Sequence, residues 1–189
     1  LPRTMTGVIA TCSLDQVKQA VGVDRVYYAG CGGLEVDLHD GIIYEDPARS
    51  LLAALPRLRK FIEDLLARFP GVNVLQHHQG LVVDYRSTGE PDAQLVRAEV
   101  MRVLPTCQPE LQIYEDTRCI EIAIDAAGSK AHAVRLMIEH SELTQSLTMY
   151  AGDDRTDASV FDLVNESEGL SLGVGANAPI NARYRVRDT

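Results

Sequence analysis

The chain lacks any long apolar run, any run of basic residues and any cluster of cysteines. None of its 189 residues falls in a stretch approaching the roughly 20 consecutive apolar positions a membrane-spanning helix needs. Lys and Arg number 18 against 27 Asp and Glu, giving a net charge of −9. An acidic chain without a basic tract is poorly suited to nucleic acid or a membrane surface. The four cysteines, Cys12, Cys31, Cys107 and Cys119, show no close-spaced metal pattern. Such scatter points to reduced thiols in a cytoplasmic protein, with two disulfides as the alternative. Repeats, low-complexity tracts and an obvious linker are also missing. No signal peptide is recognisable, and the first residue is Leu rather than Met, as either processing or truncation would leave it.

What is present is a chain 46% hydrophobic, enough for one core or for a core with a smaller inserted domain. "VIATC" reads as a strand. Ser13 and Gln16 then fit a capping box ahead of a first helix. "RVYYAG", "LEVDL" and "GIIYE" read as strands, the last two joined by a hairpin signal at Asp40-Gly41. Residues 49–69 carry apolar positions at helical spacing, stopped by Pro70-Gly71. Paired strands and a second helix follow. The C-terminal third alternates helix and strand: "SKAHAVRLMIEH" capped by Ser129, then "SLTMYAG", "DASVFDLVN" and "LSLGVG", with "YRVR" as a further strand. That alternation points to a parallel sheet. The expected architecture is an α/β core, residues 1–29 and 125–189, interrupted by an α+β module over residues 34–120.

"AGDDRTD" follows one of the C-terminal strands and precedes a helix. In open α/β sheets ligands bind beyond the carboxyl ends of the strands. Asp153, Asp154 and Asp157 repel one another unless water or a cation compensates. Carboxylate oxygens there suit Mg²⁺, which takes one or two carboxylates plus waters and phosphate oxygens. The alternative is a solvated loop whose Asp and Thr side chains cap the helix. Lys130 is expected in the first turn of the preceding helix, where a cation opposes the helix dipole. A phosphate held at that place would reverse the sign; otherwise the side chain swings into water. His77 and His78 are neighbours on a strand, so they point to opposite faces and cannot share one metal.

These segments carry a resemblance. "GSKAHAVRLMI", "LTMYAGDDRTDASVF", "LSLGVG" and "ARYRVRD" resemble the end of a trehalose-6-phosphate phosphatase, of the haloacid-dehalogenase-like phosphatases. Gly152-Asp153-Asp154-Arg155-Thr156-Asp157 is the family loop intact, and Lys130 matches the family Lys, although the Gly that follows it there is Ala131 here. "VYYAGCGGLEVDLHDG", "GLVVDYR" and "CIEIAIDAAGSK" are similar to the stretch before the cap, a cap strand, and the strand returning to the core with Glu121. The resemblance implies a haloacid-dehalogenase-like Rossmannoid core with an inserted α+β cap. It implies hydrolysis of trehalose 6-phosphate through an aspartyl-phosphate, with Mg²⁺ held by Asp153 and Asp154, Asp157 supporting the loop, and Lys130 on phosphate.

The same comparison marks departures. The family's nucleophile motif, Asp-x-Asp-Gly-Thr on the first core strand, does not occur, so the 189 residues alone are expected to be inactive and to expose backbone where that strand pairs, with self-association as one outcome. The second motif reads Ala10-Thr11-Cys12, leaving Thr11 or a Thr6-Gly7 remnant to supply a hydroxyl. In the cap, Gly32, Leu75, His77 and Asp84 stand where the family has other polar groups, whereas Tyr85, Arg86 and Glu121 keep their places. Arg86 and Glu121 are thus the candidate sugar-binding residues. A catalytically inactive relative that binds a sugar phosphate or a partner protein is the alternative reading.

Overall fold

A computed structural model describes residues 4–40, 43–77, 80–107, 111–124, 126–143 and 146–187. In chain order the regular elements are β1 (Gly7–Ile9), α1 (Leu14–Val21), β2 (Tyr27–Gly30), β3 (Glu35–Asp37), β4 (Ile43–Glu45), α2 (Leu55–Leu66), β5 (Asn73–His77), β6 (Gly80–Asp84), α3 (Asp92–Cys107), β7 (Leu111–Asp116), β8 (Cys119–Ile124), α4 (Ala126–His140), β9 (Met149–Gly152), α5 (Ala158–Glu166), β10 (Leu170–Val174) and β11 (Tyr184–Val186). They form two compact units: residues 1–46 with 126–189, and residues 47–125.

The first unit is α/β. β1 pairs parallel with β2, and β3 and β4 continue that sheet antiparallel. A second sheet, β11-β10-β9, is wholly parallel. α1 opens with the expected box: the Gln16 amide donates to Ser13 Oγ, and the Ser13 amide donates to Gln16 Oε1 at 3.1 Å. Its Leu14 and Val17 bury against Val26 and Tyr28. α4 touches both sheets. Ala133 and Met137 pack with Tyr27, Ala29, Val36 and Leu38 around the first, while Val134 joins Val160 and Val164 of α5 and Tyr150 of β9 in the second. Ile9 contacts both groups.

The second unit is an antiparallel sheet, β5-β6-β8-β7, with α2 on β5 and β6 and also against α3. Leu81, Val83, Ile120 and Ile122 are fully buried. Each contributes roughly 1.5–3 kcal/mol relative to exposure.

Four sequence expectations shift. Residues 34–46 belong to the first unit, because β3 pairs with β2 and β4 with β3; the inserted unit begins at Pro47. The helix expected over 49–69 is a 3-10 segment, Pro47–Ala54, followed by α2. Pro56 sits in the first α-helical turn, where a missing N–H costs nothing, and it disfavours continuing the α-helix upstream. The strand in "VIATC" stops at Ile9. Ser129 is not the helix N-cap: α4 starts at Ala126, so Ser129 lies inside the helix and Lys130 in its second turn. Gly41 and His78 lie outside the described residues.

Candidate active site

Asp157 is the centre of the loop. It is 2% exposed, and its carboxylate accepts four hydrogen bonds. Oδ1 accepts from Lys130 Nζ and from the Tyr150 hydroxyl, each at 2.8 Å. Oδ2 accepts the backbone amides of Asp153 and Asp154, at 2.9 and 3.0 Å. Gly152 makes this possible, since a Cβ there would stand 2.4 Å from the Asp157 carboxyl carbon.

Asp154 caps the turn that follows. Its Oδ1 accepts the Thr156 amide at 2.7 Å and the Thr156 hydroxyl at 2.5 Å. Burial is the largest influence on this carboxyl and pushes its pKa up. The Thr156 hydroxyl, the Lys130 charge and the Thr156 amide together outweigh burial and hold it below the usual carboxylate value. Lys130 Nζ lies 3.5 Å from Asp154 Oδ1. Asp153 is exposed.

Lys130 is 6% exposed, so its side chain does not swing into water. Gly33 lets its segment of α4 approach: at φ +98° it offers no Cβ, and one there would meet the Ser129 carbonyl oxygen at 2.4 Å and the Lys130 nitrogen at 2.9 Å. The expected conflict between Lys130 and the helix dipole is resolved by Asp157, which neutralises the ammonium directly.

One oxygen of each of Asp153, Asp154 and Asp157 lies within 4.8 Å of the others. Their donor chemistry separates them. Both Asp157 oxygens are occupied by four N–H and O–H donors, so it cannot serve a cation without giving these up. Asp153 and the Oδ2 of Asp154 are the oxygens open to a hard cation, which fits Mg²⁺ with most of its waters retained.

Thr11 is exposed on the bend between β1 and α1. Cys12 O accepts the Cys31 amide, two residues before the Gly33 that abuts α4, so Thr11 lies at the same end of the unit as Lys130. No hydrogen bond joins it to Lys130 or to the aspartates among the described residues. Thr6 starts the approach to β1, at the opposite end of that strand. Arg86 and Glu121 are in the second unit. Arg86 clasps Asp84 with Nε at 3.0 Å and Nη2 at 2.6 Å. The Arg86 hydrogen bonds hold the Asp84 carboxyl down at about 2. Glu121 is half-buried on β8, in register with Val82 and Tyr114.

Tyr150 was not singled out from the sequence. Burial, then the charge and hydrogen bond of Asp157, push its phenol far above the usual value, so it acts as a permanent donor. The only sequence signal was a polar-tipped aromatic directly before Ala-Gly-Asp-Asp in an otherwise apolar strand.

A carboxylate loop at the end of a parallel strand, tied to a buried Lys from the preceding helix, places the chain among the haloacid-dehalogenase-like hydrolases. A hydrolase of that class from Bacteroides thetaiotaomicron shares the fold, with TM-score 0.58 and 12% identity over 96% of this chain and 81% of that one. Residues 2–189 match the trehalose-phosphatase family, and the chain belongs to it. The trehalose-phosphate phosphatase of Mycobacterium bovis is 29% identical over 86% of this chain and 42% of its own length. The Aspergillus fumigatus trehalose-6-phosphate phosphatase superposes with TM-score 0.68 at 14% identity, covering 98% of this chain and 74% of that one. The chain spans about half or less of the curated relatives it matches.

Proposed function

We propose that these residues form the phosphate- and metal-holding part of a Mg²⁺-dependent phosphatase acting on trehalose 6-phosphate, working in the cytoplasm. The carrying observation is the Asp157 hub, which fixes Lys130 and the Asp153–Asp154 loop in one rigid arrangement. Asp153 and Asp154 would hold the cation, which when bound supplies positive charge to phosphoryl oxygens. Lys130 offers a second positive charge beside them, already oriented and largely shielded from water. Fixed in advance, these groups need little rearrangement when a phosphate arrives. The nucleophilic Asp of the family mechanism has no counterpart among the described residues of the site, so an aspartyl-phosphate needs a carboxylate that this site does not supply. Among the described residues Cys12, Cys31 and Cys119 are thiols rather than disulfides, in keeping with a reducing setting.

Sugar recognition is assigned to the second unit, with Arg86 and Glu121 as its candidates. Leu75, half exposed on β5, cannot replace a polar sugar contact. That observation favours a second reading, a relative that binds sugar phosphates without turning them over.

The test is phosphate release from trehalose 6-phosphate with Mg²⁺, alongside a panel of other sugar phosphates. Three proteins are compared: this chain, its Asp154→Asn variant, and a version extended N-terminally with the family's Asp-x-Asp strand. Turnover is expected only in the extended version. Turnover by the 189 residues, lost in Asp154→Asn, would overturn the account of the nucleophile. An extended version that binds but never hydrolyses would favour the second reading.

A further inference from the structure

We propose that Cys12, Cys31 and Glu35 form a modification site, at which glutathione disulfide converts the two thiols into an internal disulfide.

The two cysteines lie on segments that the backbone holds side by side. β1 stops at Ile9, and the chain then bends through Thr11 and Cys12 into α1. β2 ends at Gly30 and turns through Cys31–Gly33. Between the two bends, Ala10 N–H donates to Ala29 O at 3.0 Å, Gly32 N–H to Ala10 O at 2.8 Å, and Cys31 N–H to Cys12 O at 2.6 Å. Gly30 lets the segments close up, since a Cβ there would stand 2.2 Å from the Leu14 nitrogen. The Cys31–Cys12 bond sets a limit through covalent geometry. With the nitrogen of one residue so close to the carbonyl oxygen of the other, their Cα atoms are at most roughly 6.5 Å apart. Disulfides span Cα separations of about 4.4–6.8 Å. The pair is therefore within bridging range in the folded chain.

Surroundings give the two thiols different parts. Cys12 is partly exposed, on the edge of the cluster formed by Leu14, Val17, Val26 and Tyr28. An oxidant arriving from solvent meets this thiol first. Cys31 is buried. Its Sγ donates to Glu35 Oε2 at 3.8 Å, and the same oxygen accepts the Leu14 amide at 3.2 Å. Leu14 is two residues beyond Cys12, so Glu35 draws the Cys31 thiol towards the segment that carries its partner. Glu35 is itself buried. The Cys31 proton thus has a fixed acceptor inside the protein, where water has little access.

The exchange balances in two steps, because the attacking species is the thiolate. The Cys12 thiol gives its proton to water, and its thiolate attacks one sulfur of glutathione disulfide. The glutathione S–S bond breaks, a mixed disulfide forms on Cys12, and one glutathione thiolate leaves and is protonated. Cys31 then passes its proton to Glu35 and attacks Cys12 Sγ. The mixed disulfide breaks, the Cys12–Cys31 bond forms, and the second glutathione thiolate leaves with the proton from Glu35. The protein loses two hydrogens and two electrons, and glutathione disulfide gains both as two glutathiones. The bridge would join the bend carrying Thr11 to the glycine turn whose Gly33 abuts Lys130. Oxidation is then registered beside the phosphate-holding residues.

The test uses no phosphate chemistry, so its outcome is separate from that of the phosphatase reading. Trypsin cuts after Lys18 and Arg25, and the four cysteines fall on four different peptides, residues 4–18, 26–49, 103–118 and 119–130. The folded chain is incubated with glutathione disulfide, quenched in acid, blocked with N-ethylmaleimide, digested and mapped by mass spectrometry. Peptide 4–18 should be cross-linked to 26–49. Cys31→Ser should stop at the glutathione adduct on Cys12, and Cys12→Ser should leave Cys31 as a thiol. Glu35→Gln keeps an oxygen for the Leu14 amide but cannot take the proton. Closure from its mixed disulfide should be at least about tenfold slower at neutral pH. The deficit should shrink as pH rises and hydroxide replaces the carboxylate, a recovery that a merely structural defect would not show. Glutathione that stays on Cys12 in the unsubstituted chain overturns the site. So does a cross-link to 103–118 or 119–130, or one that forms only in urea. Equal closure rates with and without the Glu35 carboxylate overturn the part given to Glu35.

Discussion

Replacing Asp157 with Ala should be among the most damaging changes available to this chain. It removes the acceptor for four donors at once and leaves the Lys130 ammonium, 6% exposed, without its main partner. Breaking a buried ion pair from one side costs about 3–5 kcal/mol. Asp154 Oδ1 stands 3.5 Å from Nζ and offers partial compensation, so the lower end, about 3 kcal/mol, is expected. Against a total stability of about 5–15 kcal/mol for a natural domain, that is a large share. Urea denaturation followed by circular dichroism measures it. A double-mutant cycle with Lys130→Met and Asp157→Leu isolates the pair, because removing both charges removes the stranded one. The double variant should be more stable than Asp157→Ala alone, with a coupling of about 2 kcal/mol. A loss below about 1 kcal/mol in Asp157→Ala, or strict additivity in the cycle, would refute the buried hub.

Three other outcomes follow from the same geometry. Asp153→Ala should weaken Mg²⁺ binding by isothermal titration while moving stability by no more than about 0.5 kcal/mol, since that side chain is exposed. Gly152→Ala should cost about 1–3 kcal/mol in urea melts, because the added methyl meets the Asp157 carboxyl that cannot retreat. Asp84 titrates at about 2 rather than 3.8, held down by Arg86. Because the folded value is the lower one, its stabilisation is complete above the unfolded pKa and is lost as pH falls from about 4 towards 2. Carbon-13 shifts of the Asp84 carboxyl should show that midpoint, and Arg86→Gln should return it towards 3.8.

The elements that could be read directly from the chain were those decided by local chemistry. The Ser13–Gln16 box, the Asp40-Gly41 signal between β3 and β4, and the Gly-Asp-Asp loop each depend on neighbours a few residues apart. What escaped depends on distant partners. Residues 34–46 look like any strand pair, and only their pairing to β2 assigns them to the first unit. Ser129 resembles an N-cap, yet α4 extends back to Ala126 because its early turns pack against the glycine turn at Gly33. The loop aspartates were expected together, with Asp157 in the supporting role, and the structure groups them; what the sequence did not show is which partners hold Asp157. Lys130 and Tyr150 reach the Asp157 carboxylate from other elements, and Tyr150 looked like one more apolar strand residue.

The division of the chain also sets an order for its synthesis. Residues 47–125 are contiguous, so every contact in that unit can form soon after the segment leaves the ribosome. The other unit cannot. Tyr27, Ala29, Val36 and Leu38 need Ala133 and Met137 to cover them, and those residues emerge only after the whole intervening unit has been made. For that interval the nascent N-terminal strands carry exposed apolar faces, the state in which growing chains are most prone to associate wrongly. An acidic chain, with its mutual repulsion, is better placed to survive that wait than a neutral one.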